Sequence, residues 1–264
     1  MHDAIMNEQT AIPAERLRRI LLYIESNGSA QIKELASDQK VSEATIRRDL
    51  DELVKIGSIK RTHGGAILNN YGASFEHIYN DKLRIQFEEK VRIGVSAAGM
   101  VCDGDTIFLD SGTTTYQIAM NLAAKKNIIV VTYDLAIASS IKLHPTSTLM
   151  VTGGMKREGY NVLIGSVTEN FIKGLRVDRT FLTADAIDVD FGISNANFYE
   201  VGIKKLLIEA ASETIVVADR TKFGKKAVAK VCDLSEIDMI VTDIDLPQAL
   251  LNALSQRGNK IKCV

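Results

Sequence analysis

The chain has 264 residues, 46 % hydrophobic and 25 % charged, with a formal net charge of −1. That composition suits a globular protein with a real core, and the lack of a global basic excess confines any nucleic-acid contact to a local patch. Three cysteines, Cys102, Cys232 and Cys263, are odd in number and lack metal-ligand spacing. They read as reduced intracellular thiols, and neither a disulfide framework nor a metal or other cofactor is expected.

Taken in chain order, the first ten residues carry no apolar signal core. Pro13 then precedes "AERLRRILLYIESNG", where Leu17, Ile20, Leu21 and Ile24 recur at helical spacing and Asn27–Gly28 supply a stop. "QIKELASDQK" repeats the pattern through Ile32, Leu35 and Ala36. In "VSEATIRRDLDELVKIG", Ser42 is a natural N-cap, Ile46, Leu50 and Leu53 form one apolar stripe, and Gly57 is the stop. "SIKRTHGGAIL" predicts a small hairpin turning near Gly64 and Gly65. These elements make one compact unit over 14–68, followed by a linker over 69–80 with no strong period.

Beyond the linker, "DKLRIQFEEKVRIGVSAAGMV" predicts a long amphipathic helix through Leu83, Phe87, Val91, Val95 and Ala98. From Thr106 onward apolar strands ("TIFLD", "IIVVT", "TLMVTGG", "RTFLTAD", "ETIVVAD", "DMIVTD", "KIKCV") alternate with helical patterns. Strands apolar on both faces with helical crossovers predict an α/β domain with a mostly parallel sheet over 81–264. The longest apolar run, "IIVVTYDLAIA", is broken by Asp134 before it could span a bilayer, so a cytoplasmic chain without membrane contact is expected.

In the first unit a short helix, a tight turn at Lys40–Val41–Ser42 and a second helix match a helix-turn-helix, whose second helix enters the major groove. Ser42, Ala44, Thr45, Arg47 and Arg48 lie on or beside the free face, and Lys60, Arg61 and His63 sit where a wing would follow the backbone. The same arginines also stand four residues before Asp51 and Glu52, the spacing of ordinary surface pairs. Ten basic against eight acidic residues between Ala14 and Gly65 leave the unit only weakly basic.

In the second unit "DSGTTTYQIA" places hydroxyls and a glycine between a strand and a helix, a way to hold an anion on backbone amides and the helix dipole. Gly112, Thr113, Thr114 and Thr115 can wrap phosphate oxygens, Lys204 or Lys222 can add positive charge, and Asp110 and Asp185 can accept sugar hydroxyls. Each residue also has a plainer role open to it: helix capping for the hydroxyls, turn capping for Asp110 and Asp219, a solvated charge for Lys222. Isomerisation chemistry would need a carboxylate base and a charge for the enediolate, with Asp185 or Asp188 and Lys204 as the available pair.

"VSEATIRRDLDEL" followed by "GSIKRTHGGA" closely resembles the winged helix-turn-helix of DeoR-family bacterial transcription regulators. The likeness runs from about Glu15 to the end of the chain. It implies a recognition helix from Glu43, a wing closed by Thr62–Ala66, and a C-terminal domain similar to ribose-5-phosphate isomerase that binds a phosphorylated sugar or polyol without turning it over. The motifs that match are "DSGTTT", "VVTYDLAIA", "TGG", "FLTADAID", "NFYEVGIKK" and "VADRTKFGKKA". They extend the effector candidates to Ser111, Thr132, Tyr133, Gly153, Gly154, Glu200 and Asp219. Tyr133 stands where such regulators often carry a short amide, and "TADAID" departs from their usual glycine-bearing form. The expected function is a repressor of a carbohydrate-utilisation operon, binding operator DNA as a homodimer or homotetramer and released by the effector; the alternative is an isomerase-like enzyme with a DNA-binding domain.

Overall fold

The computed structural model describes residues 13–55, 59–68, 82–83, 85–244 and 246–264, so the linker expected over 69–80 and the stop at Gly57 lie outside the described residues. The chain divides into two compact units, Met1–Gly72 and Ala73–Val264.

In the first unit α1 (Pro13–Asn27), α2 (Ile32–Asp38) and α3 (Glu43–Lys55) pack with a sheet of β1 (Ser29–Gln31), β2 (Ile59–Arg61) and β3 (Gly65–Leu68) in the order β1-β3-β2. The apolar stripes meet as read: Ile20, Ile24, Leu35, Ile46 and Leu50 are fully buried. The hairpin turns at Gly64–Gly65, with Lys60 opposite Ile67 and Arg61 opposite Ala66. Strand β1 was not foreseen, because three residues carry no alternation to read. It forms because Gly65 brings β3 against it; a Cβ there would sit 1.9 Å from the Ala30 carbonyl oxygen. Beneath α3, Arg16 Nε and Nη2 grip both oxygens of buried Asp49 at 2.6 and 2.9 Å, joining α1 to α3.

The second unit is built on a seven-stranded sheet of β4 (Thr106–Leu109), β5 (Ile129–Thr132), β6 (Thr148–Val151), β9 (Val177–Leu182), β12 (Ala211–Val217), β14 (Met239–Thr242) and β15 (Lys260–Cys263). Its order is β15-β14-β12-β9-β4-β5-β6, and every neighbouring pair is parallel. The chain runs outward one way through β4, β5 and β6 and the other way through β9, β12, β14 and β15. The junction of β4 and β9 is therefore a topological switch point, with a crevice at the strands' carboxyl ends. The connections use α5 (Thr113–Ala119), α6 (Leu135–Ser140), α7 (Ser166–Lys173), α8 (Val201–Ala210) and α9 (Gln248–Gln256), with α4 (Phe87–Ala98) leading into β4. Two small antiparallel pieces not read from the sequence complete it: β7 (Met155–Lys156) with β8 (Leu163–Ile164), and β10 (Ala186–Asp188) with β11 (Gly192–Asn195) and β13 (Ala229–Cys232).

Helix α4 corrects the long helix expected from Leu83. Gln86 takes a left-handed conformation at φ 51°, so the helix begins at Phe87. Its inward face is also different: Glu89, Lys90, Ile93, Gly94, Ala97 and Ala98 are buried, while Phe87 and Val95 are half exposed. Gly94 sets the face, because a Cβ there would meet Gln117 Cβ at 2.4 Å where α4 crosses α5.

Candidate functional site

The first unit presents its candidate DNA-contacting residues as an open surface. Ser42 caps α3, its Oγ accepting from the Thr45 amide at 3.2 Å and lying 2.9 Å from Thr45 Oγ1. Ala44, Arg47 and Arg48 are exposed. Arg47 is held by Glu43 at 3.2 Å, one turn back rather than by Asp51 one turn ahead. Asp51 instead faces Arg61 of the hairpin at 3.6 Å, linking wing to helix. The side chains of Arg48, Lys60 and His63 are exposed and make no hydrogen bond or ion pair among the described residues. Their donors remain available to a partner that brings acceptors.

Most candidate effector residues lie at the carboxyl ends of β4, β5, β6, β9 and β12, with Glu200 and Lys204 at the start of α8, and they fall into two layers. The lower layer is a closed network under the switch point. Asp110 is fully buried and takes the Tyr133 hydroxyl on Oδ1 at 2.5 Å, with the Thr183 amide and hydroxyl on Oδ2 at 2.7 Å each. The buried Lys204 ammonium closes on the same Oδ2 and also donates to the Thr183 carbonyl at 3.0 Å. Burial first, then the charges of Asp110 and Glu200, push the Tyr133 phenol well above its ordinary pKa, so it stays a donor. Glu200 receives Arg157 Nη1 at 3.1 Å and Asn197 Nδ2 at 3.3 Å, and Arg157 lies 3.8 Å over the Tyr160 ring. Thr132 donates to the Leu109 carbonyl at 2.8 Å and accepts from the Asp134 amide at 3.1 Å.

The upper layer is the cradle itself. Gly112 is seated against Thr183, whose Cγ2 would lie 2.7 Å from an added Cβ, and Thr113, Thr114 and Thr115 open α5 directly after it. Thr115 Oγ1 bonds back to the Gly112 carbonyl at 2.9 Å. The first amides of a helix have no partner inside it and favour an anion. Ser111 donates to buried Asp134 at 2.9 Å, and Asp134 caps α6 through the Ala136 and Ile137 amides. Burial raises the Asp134 pKa against those donors. Gly153 and Gly154 take φ values of 71° and 126°, and a Cβ at Gly154 would lie 2.2 Å from Thr168 Oγ1.

Charge is concentrated on the loops after β9 and β12. Asp185 accepts from the Ala196 amide at 3.0 Å and faces Lys82 Nζ at 3.1 Å. Burial alone would raise its pKa, but Lys82, Lys222, that amide and Lys204 hold the carboxyl well below the usual carboxylate range. Asp219 caps the turn Arg220–Lys222 by accepting from Thr221, and Lys222 and Lys90 keep it charged despite its burial. The Lys222 side chain is half-buried and makes no hydrogen bond or ion pair among the described residues, acting on both carboxylates through space. Of the two lysines read as possible phosphate charges, Lys204 is spent inside and Lys222 is the available one.

Sequence reasoning missed Thr183, Lys82, Lys90 and Arg220. The signal for Lys90 and for Glu89 beside it was polarity: both lie on the buried face of α4, where a strictly apolar stripe was sought. Arg220 pairs with buried Asp243 at 3.2 Å and reaches Glu89 at 3.9 Å. Among the described residues no His, Cys, Asp and Glu cluster is arranged to hold a metal, and no helix is long and apolar enough to cross a membrane.

A helix-turn-helix that exposes Arg47 and Arg48, joined in one chain to an α/β domain with a hydroxyl-rich turn at its switch point, defines the architecture of a DNA-binding transcriptional regulator with a sensor domain. Residues 16–71 match the DeoR-like helix-turn-helix domain and residues 85–244 the DeoR C terminal sensor domain. The HTH-type transcriptional regulator GolR of Listeria innocua is 30 % identical over 95 % of this chain and 98 % of its own. The glycerol-3-phosphate regulon repressor of Escherichia coli is 32 % identical over 91 % of this chain and 95 % of its own. The HTH-type transcriptional regulator GlpR of Haloferax volcanii is 33 % identical over 88 % and 90 %. The chain belongs to the DeoR family of transcriptional regulators.

Proposed function

We propose that the protein is a cytoplasmic repressor of a carbohydrate-utilisation operon, released from its operator by a phosphorylated sugar or polyol that it senses without converting. The observation that carries the sensor reading is Lys222, on the turn after β12: its side chain has no direct partner among the described residues and acts through space on Asp185 and Asp219. The phosphate lies on the Gly112–Thr115 turn with Lys222 supplying charge, and the ligand's hydroxyls meet Asp185. The names of the E. coli and Haemophilus influenzae relatives, glycerol-3-phosphate regulon repressors, place a small phosphorylated polyol among the compounds to try first. The head binds through Thr45, Arg47 and Arg48, with the wing on the backbone; one head makes few base contacts, so specificity calls for a dimer or tetramer on repeated half-sites.

Turnover is disfavoured by the same geometry. A general base works best with a pKa near the working pH, whereas Asp185 is held far below it, and the Lys204 ammonium is buried against Asp110.

The test is a melting screen of the full chain against glycerol 3-phosphate, ribose 5-phosphate, fructose 1-phosphate and glucose 6-phosphate. Hits are repeated with genomic DNA selected by the protein, followed by product analysis. A compound that raises Tm, releases DNA and is recovered unchanged is the expected result; one recovered as its isomer overturns the reading. Lys222→Met should weaken that compound's binding about 10- to 100-fold, the worth of one charge-assisted hydrogen bond, and leave operator affinity as it was.

A further inference from the structure

After the head the described chain resumes at Lys82, and the contacts that fix it there end on the candidate pocket. Its side chain pairs with Asp185 at 3.1 Å, both groups about one-fifth exposed. Its carbonyl and that of Ile85 accept from Lys90 Nζ at 2.5 and 2.6 Å. Lys90 is 4 % exposed on α4 and senses Asp219 and Lys222. The segment between linker and helix is thus fastened twice. One fastening is the ion pair to Asp185 on the loop after β9; the other is to Lys90 of α4, which feels the charges of Asp219 and Lys222 on the loop after β12.

We infer that Lys82 is a positioning residue whose ion pair with Asp185 passes effector occupancy to the chain leading to the head; this rests on the sensor reading above. A ligand shifts an equilibrium only as far as it interacts differently with the two states. Hydroxyls arriving at Asp185, and a phosphate drawing off the charge of Lys222 that acts on Asp185 through space, change what Asp185 faces, so the strength of its pair with Lys82 differs between empty and occupied protein. A partly exposed ion pair adds little to stability, which leaves this one able to open without unfolding its surroundings.

The experiment measures, on the full chain, the dissociation constant of the panel compound that stabilises the wild type, with and without saturating operator. By linkage the ratio of the two equals the factor by which the compound weakens operator binding, with about 5- to 150-fold usual for such coupling. In Lys82→Met the ratio should fall at least fivefold toward unity, while each single affinity stays within about threefold of wild type. Lys82→Arg should restore the ratio, and Lys226→Met, removing an exposed lysine that faces Asp188 at 3.5 Å, should leave it alone. If Lys82→Met does not fold, Lys82→Gln replaces it in the same comparison. An unchanged ratio overturns the inference, as does a wholesale loss of compound affinity, which would make Lys82 an ordinary ligand-binding group. A wild type that binds no panel compound, or binds one without coupling, overturns the sensor reading itself and this inference with it.

Discussion

The two units spend their charges in opposite ways. In the head, Arg48, Lys60 and His63 stand in solvent without partners among the described residues, and a single buried pair, Arg16–Asp49, braces the helices beneath them. In the sensor unit most polar side chains at the site are buried and committed to one another: Asp110 to Tyr133, Thr183 and Lys204, Glu200 to Arg157 and Asn197, Asp134 to Ser111. The partners explain the contrast. DNA arrives with a dense, regular array of phosphates, so a surface gains by keeping donors unspent. A small anion makes few contacts, and each must be fixed beforehand, so many groups serve to hold a few in place.

The sharpest way to break that contrast is at the bottom of the sensor network. Lys204→Met leaves the Asp110 charge buried with only neutral donors, and removing one member of such a pair typically costs about 3–5 kcal/mol. Urea unfolding should show that loss, and the double variant Lys204→Met/Asp110→Asn should recover part of it, since no buried charge is then stranded. A loss below about 1 kcal/mol for the single variant would mean the network does not depend on the pair.

The head predicts the reverse pattern. Arg48→Ala removes an exposed side chain with no partner, so unfolding should be unchanged to within about 0.5 kcal/mol. Operator affinity should nonetheless fall about 10- to 100-fold per half-site, the worth of one bidentate base contact. A gel shift giving wild-type affinity would remove this face from the interface. A stability loss comparable to that of Lys204→Met would erase the distinction between the two units.

The same contrast governs what could be read from the sequence. Helix α3 was legible because its signals are local: Ser42 caps it, and Ile46, Leu50 and Leu53 recur on one side and are buried. The parallel sheet was legible for the same reason, its central strands carrying buried apolar runs such as Ile107–Phe108–Leu109 in β4 and Ile215–Val216–Val217 in β12. At the sensor site the sequence supplied residue types and the strand ends that gather them, but not depth. Nothing in "NFYEVGIKK" distinguishes Lys204, at 1 % exposure, from Lys205, which is exposed. Tyr133 enters the effector candidates through its motif alone, and nothing in that motif foretells that it lies fully buried as a donor to Asp110. Helix α4 misled most, because its buried face carries Glu89 and Lys90 while Phe87 and Val95 look outward. An apolar stripe is a poor guide where a helix packs on a polar network contributed by Asp219, Arg220 and Asp243 from far along the chain.

Lys90 offers a smaller but cleaner test of how such a network is held. Burial brings its pKa down from 10.5 to about 7, against the attraction of Asp219 and Glu89 and with the help of Lys222 and Lys82. In the unfolded chain the amine keeps its ordinary value. Between about pH 7 and 10.5 the unfolded state therefore binds a proton that the folded state has released, and stability rises with pH across that window. Below about pH 7 both states are protonated, and this contribution is gone. Compared with Lys90→Met, the wild type should gain roughly 1 kcal/mol per pH unit between pH 7.5 and 9, read as the difference in unfolding free energy at matched ionic strength. Whatever the variant costs through the freed carbonyls of Lys82 and Ile85 is the same at every pH and cancels from the slope. Parallel profiles would mean that Lys90 stays charged throughout, its buried ammonium compensated by the carbonyls of Lys82 and Ile85 and by the charges of Asp219 and Glu89.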